Sequence, residues 1–169
     1  MKTWKLIILL ILISGCKSAS ISLKDSGSTP EEWKSFSIKT LESSAPNCPL
    51  SYTAKLTEDL KDAIQNNTRL SLNTTTGSGE VYIEGIINNY QVMPIAIQNN
   101  NSAAQNRLTI GVQFNINISA PKTETMNLTS TRFADFNAST NLASVENQLL
   151  EDINTQLAQD LINKLLGNW

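Results

Sequence analysis

The chain has 169 residues, with 13 Lys or Arg against 15 Asp or Glu and no histidine. Its mildly acidic balance argues against general nucleic-acid binding, and the missing histidines remove the commonest general base and metal ligand. The length suits a single domain with one two-layer core.

Lys2 and Lys5 precede the apolar run Leu6 to Ile13, which closes on Ser14-Gly15-Cys16. This charged, apolar, small-residue order is that of a secretion signal, read here as residues 1–15. The run is too short to span a bilayer, which takes about 20 apolar residues as a helix. Ile13-Ser14-Gly15-Cys16 resembles the bacterial lipobox, which implies that Cys16 is lipidated. Several acyl chains on one cysteine would give a durable membrane anchor. Lys17 stands where an inner-membrane retention signal would place Asp, so outer-membrane delivery is expected, with the domain facing the periplasm.

Residues 16–32 are rich in Ser, Lys and Asp, with Gly27 and Pro30, and read as a lipidated flexible tether. The folded domain is expected over residues 33–169. Phe36, Ile38 and Thr40 alternate with Ser37 and Lys39, predicting a first strand at 35–41. Cys48 follows in the turn-like Pro46-Asn47-Cys48-Pro49. With Cys16 acylated it has no partner in the chain, and two readings stand: a small buried apolar side chain, or a thiol that pairs with another protein.

Leu56, Leu60, Ala63 and Ile64 then fall at helical spacing, with Glu58, Asp59, Lys61 and Asp62 on the other face. Asn66-Asn67 is expected to end this helix in the left-handed conformation that Asn tolerates. A short strand is predicted at Arg69 to Thr74, and after the turn Gly77-Ser78-Gly79 a third runs from Val81 through Ile87 toward Pro94, with a bulge expected at Gly85. The Asn-rich stretch from Gln98 to Gln105 reads as an exposed hairpin loop.

The most regular strand is Leu108 to Ile118, where six apolar residues alternate with Thr109, Gly111, Gln113, Asn115 and Asn117. One face should be buried and the other polar. Pro121-Lys122 turns the chain, and Thr125 to Phe136 should return antiparallel. The last element is a long helix over 142–166, with Val145, Leu149, Ile153, Leu157, Leu161 and Leu165 at steps of four and Gly167 as its stop. The order predicts an α+β fold: two helices packed on one face of a mostly antiparallel four- to five-stranded sheet. The seryl and threonyl groups sit in no nucleophile motif, and no carboxylate stands out from solvated charges, so neither an enzyme nor a cofactor is expected.

Several ordered strings resemble the LptE family of lipopolysaccharide-assembly lipoproteins, in its Bacteroidetes form. They are the lipobox Cys16, Leu56-Thr57-Glu58-Asp59-Leu60-Lys61, Glu84-Gly85-Ile86-Ile87-Asn88-Asn89-Tyr90, Asn106-Arg107-Leu108-Thr109-Ile110, Arg132-Phe133-Ala134-Asp135-Phe136 and Asn168-Trp169. The resemblance spans nearly the whole mature chain and is architectural, since none of these strings is catalytic. It implies two helices on a mixed four-stranded sheet, sitting as a plug in the lumen of the LptD barrel and helping deliver lipopolysaccharide to the outer leaflet. It also implies lipopolysaccharide contact through basic residues near sheet ends, for which Arg107, Lys122 and Arg132 are the candidates. Solvated charges at strand ends are the other reading of these three. A periplasmic lipoprotein that binds a small ligand or another envelope protein is the alternative to the plug, because a fold does not by itself dictate function.

Overall fold

The computed structural model describes residues 29–95 and 105–167. The expected signal peptide, Cys16, most of the expected tether, all but Gln105 of the loop expected from Gln98 to Gln105, and Asn168-Trp169 lie outside the described residues.

Among the described residues six strands and two helices follow one another as β1 (Ser35–Ile38), β2 (Glu42–Ser43), α1 (Leu50–Asn67), β3 (Ser71–Leu72), β4 (Val81–Ile95), β5 (Gln105–Ile118), β6 (Glu124–Asn137) and α2 (Leu142–Leu166). They form one sheet ordered β3-β1-β4-β5-β6, with β2 also on β4. The three long strands are antiparallel neighbours, while β1, β2 and β3 join in parallel. The sheet is therefore mixed, with an antiparallel meander extended on one side by short parallel strands. The two helices cover one face, as the apolar periodicity predicts.

The first strand, predicted at 35–41, ends at Ile38, and a second short strand follows beyond the predicted end at Glu42–Ser43. Phe36 and Ile38 pair opposite Val81 and Ile83, and Glu42 and Ser43 rejoin the same edge opposite Ile86 and Ile87. Between them the backbone N–H of Leu41 donates to Thr57 Oγ1 of α1 at 3.0 Å. A polar group on a helix has taken over a hydrogen bond that a continuous strand would make to β4, and Leu41 is buried in the core.

The bulge lies at Asn88, three residues beyond the expected Gly85. Ile87 pairs with Val112 and Asn89 with Gly111, so Asn88 is left unpaired. This one-residue slip turns Tyr90 to the helix face, where it is buried. Gly111 lies beside the slip, where a Cβ would stand 2.7 Å from Asn88 Oδ1 and 3.2 Å from Asn89 Cβ. Gly85 serves packing instead: a Cβ would meet Leu41 Cγ and Phe114 Cδ1, both at 3.1 Å.

Helix α1 extends through Asn67 and stops without a left-handed residue. Thr68 is extended, with φ −131°, and both its N–H and its hydroxyl donate to the Ile64 carbonyl, at 2.9 and 2.8 Å. Asn67 Nδ2 donates to the Ala63 carbonyl. Side chains thus satisfy carbonyls that a helix end leaves open. Helix α2 begins at Asn141, whose Oδ1 accepts from the Ala143 N–H at 3.0 Å. Its stripe Leu149, Ile153, Leu157, Leu161 and Leu165 is buried against Phe36, Ile83, Ile110, Phe114 and the rest of one continuous core.

Candidate functional site

The register of the meander sorts every side chain to one face or the other. Leu108, Ile110, Val112, Phe114, Ile116 and Ile118 point to the helices and are buried. The face away from the helices carries Thr109, Gln113, Asn115 and Asn117 from β5 and Thr125, Asn127, Thr129 and Thr131 from β6. It is an open, amide- and hydroxyl-rich surface, as the sequence alternation predicts.

The three candidate cations do not converge. Arg107 lies on this open face directly opposite Asp135. Its Nε and Nη2 donate to the two carboxylate oxygens at 2.7 and 2.9 Å, a bidentate pair. Its guanidinium also stacks 3.6 Å from the Phe133 ring centroid. The pairing raises Arg107 and holds Asp135 below the usual carboxylate range. Arg132 lies on the opposite face, pairing across β5 with Ile110. There its Nε donates to Asp160 Oδ2 of α2 at 2.7 Å, and Nη2 reaches Oδ1. The Ser130 hydroxyl donates to the same carboxylate, so three donors clasp α2 to the sheet edge. Arg132 chiefly, then Ser130, depress the Asp160 pKa against the opposing effect of burial.

Lys122 is exposed at the turn that joins β5 to β6. It stands at the other end of the hairpin from Arg107, roughly 35 Å away at about 3.4 Å per strand residue. Among the described residues it has no carboxylate partner. Sequence reasoning placed the two arginines near strand ends but missed Asp135 and Asp160, which neutralise them.

A second polar assembly lies between the helices. The Tyr52 hydroxyl donates to Asn154 Oδ1 at 2.7 Å, Asn154 Nδ2 donates to Asp59 Oδ2 at 2.6 Å, and Lys55 pairs with Asp59 at 3.0 Å. The Tyr52 ring meets Tyr90 edge-on at 5.6 Å, and the Tyr90 hydroxyl donates to Glu146 at 2.6 Å. Burial first, then Tyr90 for Tyr52 and the Glu146 hydrogen bond for Tyr90, push both tyrosines well above their ordinary range. They stay protonated and act as fixed donors, joining α1, α2 and β4. Near β1, Glu80 accepts from the N–H and hydroxyl of Ser35 at 2.7 and 2.9 Å, which keeps its carboxylate ionised.

Among the described residues no cluster of three or more Cys, Asp or Glu could hold a metal, and no helix is long and apolar enough to cross a membrane. A model of the LptE lipopolysaccharide-assembly family matches residues 34–165, which is nearly the whole folded domain, and the chain belongs to that family. The family is one of non-enzymatic lipopolysaccharide-assembly lipoproteins.

The fold is shared with a minor lipoprotein from Acinetobacter baumannii, at TM-score 0.53 and 18% identity over 80% of this chain and 94% of that one. It is shared also with a Xanthomonas campestris protein, at TM-score 0.55 and 12% identity over 83% and 87%. At such identities the likeness concerns the fold alone. The search of curated proteins found no significant match.

Proposed function

We propose that the protein is an outer-membrane lipoprotein, anchored through Cys16 and facing the periplasm, that plugs an LptD-type barrel and assists its assembly for lipopolysaccharide transport to the outer leaflet. The observation that carries this reading is the family match over residues 34–165. The open sheet face supports it physically. A domain seated in a water-lined barrel needs a compact body with a polar exterior, and the outward rows of Thr, Asn and Gln on β5 and β6 supply one.

Within this reading, direct contact with lipid phosphates falls first to Lys122, the unpartnered one of the three candidate cations among the described residues. Arg107 and Arg132 take part only after parting from Asp135 and Asp160. The test is purification of the tagged full-length protein from outer membranes in mild detergent. A large barrel protein should accompany it, and Cys16→Ser should remove the acyl mass that intact-mass spectrometry finds on the wild type. Recovery of the wild type without any barrel would sink the proposal, as would unimpaired lipopolysaccharide export after depletion.

A further inference from the structure

The open sheet face holds a groove of about 260 Å³ lined by Lys39, Glu42, Glu84, Ile86, Asn115 and Asn127 together with Thr40, Gly85 and Gln113. It forms where the chain between β1 and β2 steps off the edge of β4. We propose that this groove binds a neutral, polyhydroxylated ligand, a saccharide ring.

The floor is ordered for that chemistry. Glu84 pairs across to Asn115, and Asn115 to Asn127, giving a carboxylate–amide–amide row over three strands. Strand spacing sets its members about 4.8 Å apart. The Tyr82 hydroxyl donates to Glu84 Oε1 at 2.9 Å and holds that carboxylate in place. Planar carboxylates and amides present adjacent acceptors, or an acceptor beside a donor, which suits neighbouring hydroxyls that both give and take hydrogen bonds. Asn115, Asn127 and Gln113 have no partner among the described residues, whereas the neighbouring Asn117 accepts from Thr125. In the adjoining row Ile86 stands between Glu42 and Gln113 and is 45% exposed, offering an apolar surface to the C–H face of a ring.

Two further observations narrow the ligand. Lys39 is tied to Glu42 at 2.7 Å, so the cation of the groove is matched and the added charge of Glu84 leaves it unfavourable to phosphate. The asparagines also run against local preference. Asn is a poor strand former, while the flanking outward positions Thr109, Thr125, Thr129 and Thr131 carry a good one. Solvation of the face needs only threonine, and a broken local rule at paired central positions points to a binding role. The volume lies just under the roughly 300–1,000 Å³ of pockets for drug-sized molecules, which fits one ring of a longer glycan.

The test uses the full-length protein in mild detergent, with side-chain amide NMR signals read during titration. The probes are neutral trisaccharides, the dephosphorylated and deacylated saccharide of lipopolysaccharide, and inorganic phosphate. Saturable shifts at Asn115, Asn127 and Gln113 are expected with a neutral saccharide and none with phosphate. Response to the lipopolysaccharide saccharide alone identifies a lipid-borne source, and response to free trisaccharides a soluble one.

Asn115→Thr with Asn127→Thr should keep or raise the melting temperature while weakening binding at least tenfold. No shifts at millimolar saccharide, equal binding by the double variant, or shifts with phosphate alone would overturn the proposal. Barrel recovery with the double variant reads the plug role separately, so loss of either property leaves the other measurable.

Discussion

Tyr52 in the first helix and Asn154 in the last are joined by a buried 2.7 Å hydrogen bond across 102 residues of sequence. Asn154 is 2% exposed and passes a second bond to Asp59, so one amide links a phenol to a carboxylate between two helices. Asn154→Ala leaves the Tyr52 hydroxyl buried without an acceptor, which costs about 1–3 kcal/mol. Tyr52→Phe removes the donor with less disturbance and should cost about 1 kcal/mol. Urea unfolding of both single variants and the double variant checks this. Strict additivity would show that the bond carries no coupling.

Gly79 is the next test, because its backbone has φ +100° and a Cβ would fall 2.8 Å from Ser35 Oγ and 3.1 Å from the Ser35 carbonyl oxygen. Gly79→Ala combines an unfavourable conformation with a clash against backbone and should destabilise by about 1–3 kcal/mol. Gly77 also has positive φ, at +80°, but faces nothing within 4 Å. Gly77→Ala should therefore be the milder change in a thermal melt.

The clasp on Asp160 makes a pH prediction. The native pKa of this carboxylate is depressed below its ordinary 3.8, chiefly by the Arg132 hydrogen bond. Its stabilising contribution is thus fully present above about pH 5 and is lost as pH falls through 3.8 toward the lowered native value. Asp160→Asn should be less stable than wild type at neutral pH, with the gap closing below about pH 4. A gap independent of pH between 3 and 7 would contradict the assignment.

Arg107 and Asp135 are partly exposed, at 34% and 29% for their side chains. Their double-mutant cycle should give only a weak coupling despite the bidentate geometry, because solvent screens both charges. The coupling should shrink as salt rises. Chemical denaturation at low and high ionic strength measures both.

Much of the fold could be read from apolar spacing alone. The steps of four in Leu149, Ile153, Leu157, Leu161 and Leu165 placed α2 at its observed bounds, and the alternation at 108–118 placed the central strand and its inward set. What escaped was decided by groups distant in sequence: Thr57, which takes the Leu41 N–H where the first strand breaks off, and the cross-strand register that leaves Asn88 unpaired.

The Arg107–Asp135 pair was within reach, since a turn centred on Pro121 sets residue 107, fourteen before it, opposite residue 135, fourteen after it. Arg132–Asp160 was not, because it depends on how α2 lies along β6. A hydrophobic stripe fixes which side of a helix faces the sheet and leaves its lateral position open.

The parallel seam between β1 and β4 sets an order of events in time. Strands β4, β5 and β6 pair with neighbours in the chain, but Phe36 must wait for Val81, with α1 lying between them in the chain. Contacts between distant residues form slowly because the intervening chain must first be gathered in. The amino-terminal strand is therefore expected to seal the meander late, with Phe36 and Ile38 among the last strand residues to be buried.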